Sequence, residues 1–233
     1  MKLGIMQPYF LPYIGYWQLI NSVDEFVIYD NIKYTKKGWI NRNRILCNGK
    51  DEYITIPLKK DSDYLDVKDR YIAYSWDDEK NKILNKIRQY YKKSPQFSQG
   101  YTLFETCISC EERNLFKFIL NSVELIKTYL DIKTPLIISS TIPSDQNLQS
   151  EDKVLDICKV RKATTYINAS GGVELYDKNN FTKEGMELNF IKSNQITYKQ
   201  FDNEFIPWLS ILDVLMFNSK EEIQSMLNNY TLF

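Results

Sequence analysis

At 233 residues, with 43% hydrophobic and 26% charged residues, the chain has ordinary globular composition. That length buries roughly 70% of the unfolded surface, so a stable core needs no disulfide or metal staple. Its 30 Lys and Arg balance 30 Asp and Glu, so overall charge points to neither a nucleic-acid nor a membrane partner, and the absence of histidine excludes Ser-His-Asp and Cys-His mechanisms and histidine-containing zinc sites.

The first predicted element is the short apolar run Leu3–Met6, closed by Gln7-Pro8. Pro12 and Gly15 then punctuate a loop before the apolar positions Trp17, Leu19 and Ile20 of a helix. Phe26–Tyr29 is rich in β-formers and ends at Asp30, so residues 3–30 read as a βαβ unit with parallel strands. Such units carry functional groups at the carboxyl ends of their strands, where Gln7 and Asp30 fall.

Residues 31–50 hold six cations and no acid, interleaved with Tyr34 and Trp39. The cations are Lys33, Lys36, Lys37, Arg42, Arg44 and Lys50. The segment reads either as a solvated loop or edge hairpin, or as a phosphate clamp. Tyr53–Leu58 alternates as a strand, and Lys59-Lys60 leads into an acidic stretch containing Asp61, Asp63, Asp66 and Asp69. That stretch is expected to be an exposed loop rather than a magnesium site, because hard cations need several converging oxygens.

Helical spacing predicts a helix over 77–93 and another through 112–131, the latter on Leu115, Phe118, Ile119, Val123, Ile126 and Leu130. Leu136–Ile138 reads as a strand, Asp152–Val160 as a helix and Thr164–Asn168 as a strand, which together suggest a second βαβ pattern. Ser170-Gly171-Gly172 follows as a tight turn in preference to a phosphate cradle. Leu188–Ile191 and Ile196–Phe201 are expected strands, and Trp208–Phe217 and Lys220–Leu227 closing helices.

The expected architecture is therefore a single α/β domain over 1–233, a parallel-sheet core built from βαβ units with a mainly helical annex around 77–131. No apolar run approaches the ~18 residues that would span a bilayer, and the first residues lack a signal-peptide core, so the chain is expected to remain in the cytoplasm. Cys47, Cys107, Cys110 and Cys158 are read as buried thiols; the lone CxxC at Cys107 and Cys110 has no second pair to complete a zinc site. No metal site or cofactor is assigned.

The segment from Gln7-Pro8-Tyr9 to Gly15-Tyr16, followed by Phe26–Asp30 and Lys36-Lys37-Gly38-Trp39-Ile40-Asn41-Arg42, resembles the opening of the WbqC-like family. The resemblance continues through Thr55–Lys59, Ser139-Ser140, Tyr166, Gly171-Gly172, Tyr176 and Phe205–Asp213, covering most of the chain. Many members begin His-Gln-Pro, where this chain has Met6, which removes any role for an opening histidine. The resemblance implies work on cell-surface sugars: aminoacyl transfer, such as glycine, to the amino group of a nucleotide-linked amino sugar.

Under that reading Lys36, Lys37, Arg42 and Arg44 bind the diphosphate, and Trp39 or Tyr34 stacks on a base or sugar. Asp30 takes a proton from the attacking amine, while Gln7 and Asn41 orient the carbonyl. Tyr9, Tyr16, Lys59, Ser139, Gly171 and Gly172, from the shared segments, complete the candidate substrate contacts. Asp30 as a cap, Gln7 as a joint and Asn41 as a turn brace are the structural alternatives.

The acyl donor is open between an aminoacyl-tRNA and an ATP-derived adenylate. The strand, Pro- and Gly-containing loop and helix at the start are also similar to nucleotidylyltransferase folds, with Gly15-Tyr16 in the place of Gly-His. The competing functions are a noncatalytic sugar-nucleotide-binding or assembly protein and a nucleotidyltransferase.

Overall fold

The computed structural model describes residues 1–233. The opening motif forms β1 (Lys2–Met6), α1 (Ile14–Asn21) and β2 (Glu25–Ile28), with β1 and β2 parallel and Gly4 opposite Phe26. A hairpin follows, β3 (Arg42–Cys47) and β4 (Lys50–Thr55), paired antiparallel in a sheet of its own. The annex holds α2 (Trp76–Tyr91), α3 (Phe97–Ile108) and α4 (Leu115–Tyr129). The remaining elements are β5 (Leu136–Ile138), α5 (Ser150–Val160), β6 (Thr165–Ala169), α6 (Lys178–Lys183), β7 (Glu187–Ser193), α7 (Ile211–Phe217), α8 (Lys220–Met226) and β8 (Tyr230–Leu232).

The main sheet has the order β5-β2-β1-β6-β7-β8, parallel except for the antiparallel edge strand β8. The chain winds outward from β1 through β2 to β5, then returns past β1 to lay down β6 and β7 on the other side. The direction of winding therefore reverses between β1 and β6, and in open α/β sheets that reversal opens a crevice at the strands' carboxyl ends.

Period-two alternation divides the sheet's side chains between two cores. Leu3, Ile5, Val27, Tyr166, Leu188 and Phe190 join one buried cluster with residues of α5 and Phe181 of α6. Phe26, Ile28, Ile167 and Ile191 face the larger cluster, which takes in α1, the hairpin, the annex, α7 and α8. Phe118 of α4 joins annex to opening loop, its ring centroid 6.3 Å from that of Phe10 and 5.6 Å from that of Trp76. Gly100 lets α3 lie close to α7: a Cβ there would sit 3.0 Å from the Leu215 carbonyl oxygen and 3.0 Å from Met216 Sδ. No helix is long and apolar enough to cross a membrane.

A buried carboxylate fastens the hairpin, annex and C-terminal third together. Asp213, in the first turn of α7 and 0% exposed, accepts hydrogen bonds from Tyr91 Oη (2.8 Å), Tyr198 Oη (2.6 Å) and Gln200 Nε2 (2.7 Å). Tyr91 Oη in turn accepts from Leu46 N of β3 at 2.7 Å. Burial pushes the Asp213 carboxyl up to about 6 against the pull of its three donors.

The second βαβ pattern is present as β5, α5 and β6 of one parallel sheet, with β2 and β1 lying between its two strands, because the crossover through α5 carries the chain past the sheet's centre. Three expectations are corrected. Ile196–Phe201 is not a strand, since Tyr198 and Gln200 turn inward to Asp213 instead of pairing in a ladder. The helix expected from Trp208 starts at Ile211: Trp208 has φ 62°, and Ser210 caps the helix by accepting from Leu212 N. The strand expected over Tyr53–Leu58 is β4, which lies earlier in the sequence, at Lys50–Thr55, in register with β3.

Candidate functional site

A cavity of about 870 Å³ opens at the winding reversal. Met6 and Gln7 bound it where the chain leaves β1, and Asn168, Ala169, Gly171 and Gly172 where it leaves β6. Tyr29, Asn31 and Lys33 enter from the end of β2, Asp66 and Lys68 from the acidic loop, and Gln149, Ser150, Glu151 and Lys153 from the start of α5. The 3-10 turn at Ser170–Leu175 sets the β6 wall. Gly172 is needed there because a Cβ would lie 2.6 Å from Asn168 Oδ1, whereas Gly171 has no atom within 4 Å of the equivalent position and leaves its backbone open to the cavity.

Lys153 is the cation this cavity buries most deeply. It is only 6% exposed, yet its ammonium forms no carboxylate ion pair; it donates to Gln146 Oε1 at 3.2 Å and lies 5.6 Å from the centre of the Tyr29 ring. Asn31 Nδ2 donates to the same Gln146 oxygen at 2.6 Å, which fixes the glutamine from the other side. Glu151 also lines the cavity, but its carboxylate is held by Asp177 N (2.6 Å) and Asn180 Nδ2 (2.7 Å) at the start of α6 and forms no ion pair with Lys153. Burial raises the phenols of Tyr9, Tyr29 and Tyr176, so all three stay protonated and able to donate. Asn168 Nδ2 donates to Tyr166 Oη and lies 3.5 Å from Tyr176 Oη, holding the β6 wall.

The structure brings only some of the sequence candidates into this cavity. Gln7, Tyr9, Gly171 and Gly172 line it. Tyr16 is buried behind them, its hydroxyl donating to the Gln7 carbonyl oxygen at 3.1 Å. Asp30 is 3% exposed beneath the cavity and binds the turn at Ser139–Thr141: it accepts from Ser139 Oγ (2.8 Å), Ser140 N (2.9 Å) and Ser140 Oγ (2.6 Å). Asp30 and Ser139 thus form one lock between β2 and β5.

The basic segment is divided. Tyr34, Lys36, Asn41 and Lys59 line a second cavity of about 580 Å³. Arg42 donates through Nε to the Gly38 carbonyl at 3.1 Å and through Nη2 to that of Lys37, while its guanidinium covers the Tyr53 ring at 4.5 Å. Arg44 pairs with Asp51 at 3.1 Å and donates to the Trp208 carbonyl at 3.2 Å; Trp39 stacks on Tyr53 at 6.2 Å. Lys37 is exposed at a positive φ of 62°. Lys36, Lys37, Arg42 and Arg44 therefore do not converge on one anion position, and the two arginines brace the hairpin.

Sequence reasoning missed Lys153, Lys68 and Asn168 as cavity residues. For Lys153 a signal existed: Val154, Ile157 and Cys158 face the core from α5, and a lysine four residues before Ile157 shares their face. Lys68 and Asn168 carry no comparable mark, because their place depends on which loops meet across the sheet.

The model of the WbqC-like protein family matches residues 7–225. The chain belongs to that family. The matched span includes every cavity residue named above except Met6. This WbqC-like protein is also 29% identical over 217 residues to the uncharacterized protein Rv1507c of Mycobacterium tuberculosis (strain ATCC 25618 / H37Rv), with 92% of each chain covered. No solved structure matches the chain.

The hydrogen bonding of Asp30 carries an expectation for the WbqC-like protein. Asp30→Asn exchanges one acceptor oxygen for an amide that cannot accept from Ser140, and the buried mismatch costs about 1–3 kcal/mol. Urea unfolding should show that loss; an unchanged midpoint would mean that the Ser139–Ser140 contacts contribute nothing to stability.

Proposed function

We propose that this WbqC-like protein binds a nucleotide-linked amino sugar in the winding-reversal cavity and transfers an aminoacyl group to the sugar's amine. The observation that carries the reading is the ammonium of Lys153, buried against the cavity without a carboxylate partner. A buried cation is costly unless an anion offsets it, and a ligand phosphate supplies that anion. Lys33 and Lys68, which line the same space and form no ion pairs, extend the positive wall toward a second phosphate. Gly171 gives backbone amides room to approach it.

Asp66 replaces Asp30 as the proposed proton acceptor. It lines the cavity, and its carboxylate has no hydrogen-bond or ion-pair partner in the protein, whereas that of Asp30 is held by two serines. In the proposed step the amine lone pair forms the new N–C bond to the activated acyl carbon. The bond from that carbon to the donor's leaving oxygen breaks, and Asp66 takes the amine proton. Gln7 orients the carbonyl from the end of β1. The donor is an activated aminoacyl ester or anhydride, the chemistry shared by an aminoacyl-tRNA and an acyl adenylate.

Thermal unfolding in a panel of nucleotide sugars tests the reading. At about 100 times Kd a ligand specific for the folded state contributes about 2.7 kcal/mol, which for a chain of this size raises Tm by about 5–10 °C. A selective rise with UDP- or dTDP-linked amino sugars is expected, followed by amide product when an aminoacyl donor is added. No rise across the panel would overturn the binding assignment, and binding without product would leave a sugar-nucleotide-binding protein. The β1–loop–α1 opening also supports nucleotidyl transfer, for which pyrophosphate release from a nucleoside triphosphate is the separating assay.

A further inference from the structure

The second cavity holds a feature that the proposed transfer does not use. Arg70 is 4% exposed and lines that cavity, yet its Nε has no hydrogen-bond partner, and its one ion-pair contact, Nη2 to Asp63 Oδ1, is 4.0 Å long. A guanidinium offers five N–H donors in a fixed plane, so a buried one without a close acceptor is an anion site awaiting its anion.

The surroundings hold that plane in place. The guanidinium carbon lies 4.5 Å from the Tyr34 ring centre, Tyr34 Oη donates to Asn41 Oδ1 at 2.8 Å, and Asn41 Nδ2 donates to the Ile56 carbonyl at 2.8 Å. The backbone is locked as well: Arg70 N donates to the Val67 carbonyl at 3.2 Å, and the Arg70 carbonyl accepts from Leu115 N at 2.9 Å. Lys36, Lys59 and Lys60 line the same cavity, so four cations face two carboxylates, Asp61 and Asp63.

Asp63 occupies the position a ligand would take. Its Oδ2 is 2.8 Å from Lys36 Nζ while its Oδ1 faces Arg70, and its side chain is 61% exposed on a loop. The carboxylate thus bridges the two cations from the solvent side without closing on the guanidinium.

We infer that this cavity is a second ligand site, which binds the phosphate group of a small phosphorylated molecule on Arg70 and Lys36, displacing Asp63. A doubly charged phosphate suits the excess of cations, and its oxygens match the guanidinium fork. The inference is independent of the sugar-nucleotide reading, since none of the residues of this site lines the first cavity.

The test is titration of the full-length Lys153→Met variant, in which the first site is disabled, with inorganic phosphate by isothermal calorimetry. Saturable binding is expected. Arg70→Lys should weaken it at least tenfold, and Asp63→Asn, an exposed change that leaves the fold intact, should tighten it several-fold by removing the competing carboxylate. Absence of binding, equal affinity in a folded Arg70→Lys variant, or weaker binding in Asp63→Asn would each overturn the inference. Acetate competing as well as phosphate would overturn the phosphate assignment. Loss of nucleotide-sugar binding in Lys153→Met with phosphate binding retained would show the two sites to be separate.

Discussion

Replacing Lys153 by Met should remove the nucleotide-sugar stabilisation while leaving the folded protein as stable as before, or more so. Met keeps the length and most of the volume of the lysine stem, and it removes a buried charge whose only hydrogen-bond partner is the neutral Gln146 amide oxygen. A structural ion pair would behave in the opposite way, because truncating one member strands the other. The ligand's phosphate should lose about 2–5 kcal/mol of charge-assisted contact, at least roughly a 30-fold loss in affinity. Calorimetric titration and thermal unfolding of the same sample measure both quantities. A variant that unfolds early and still binds as tightly as the parent would recast Lys153 as a structural residue.

Asp213→Ala should produce the largest loss of stability from a single change, about 3–5 kcal/mol. It leaves Tyr91 and Tyr198 hydroxyls and the Gln200 amide without their acceptor in a site closed to water. The same group makes stability depend on pH in a direction opposite to that of an ordinary ion-paired carboxylate. Its folded value of about 6 lies above the ordinary 3.8, so the folded state binds the proton more tightly. Its favourable contribution is complete below about 3.8 and is lost as pH rises through about 6, a change of about 3 kcal/mol at ~1.4 kcal/mol per unit. Urea unfolding at pH 4 and pH 7.5 should therefore show the parent gaining on Asp213→Asn at the lower pH. A pH-independent difference would mean that Asp213 does not titrate in this range.

The parts of the fold that could be read in the sequence are those whose signal is local. Phe26–Ile28 alternates between two cores and pairs with β1 in parallel, and Leu115–Tyr129 presents one apolar face at helical spacing. What could not be read is adjacency across the chain. Nothing in Leu136–Ile138 says that β2 and β1 separate it from Thr165–Ala169. The alternation of Ile196, Tyr198 and Gln200 looks like a strand until Asp213 is known to sit beneath the two polar side chains.

The site followed the same division. Gln7 and Gly171-Gly172 end strands in sequence and in space, so they fell in the cavity. The basic run scattered because Arg42 and Arg44, two apart on one face of β3, turn to Tyr53 and Asp51 of the partner strand, while Lys36 lies in the loop before it and lines the second cavity. Arg70 escaped notice because a single arginine after an acidic loop looks exposed. Its burial depends on Tyr34 and on the start of α4, both distant in sequence.

The cysteines give the molecule its own set of opening gauges. Cys47 lies in the hairpin, Cys107 in the annex and Cys158 in α5 on the opposite side of the sheet; all three are buried, and burial pushes each thiol up to about 12. None reacts as a thiolate while its layer is closed, so the rate at which each is alkylated under native conditions reports how often that layer opens, and three unequal rates would rank the layers by their local stability.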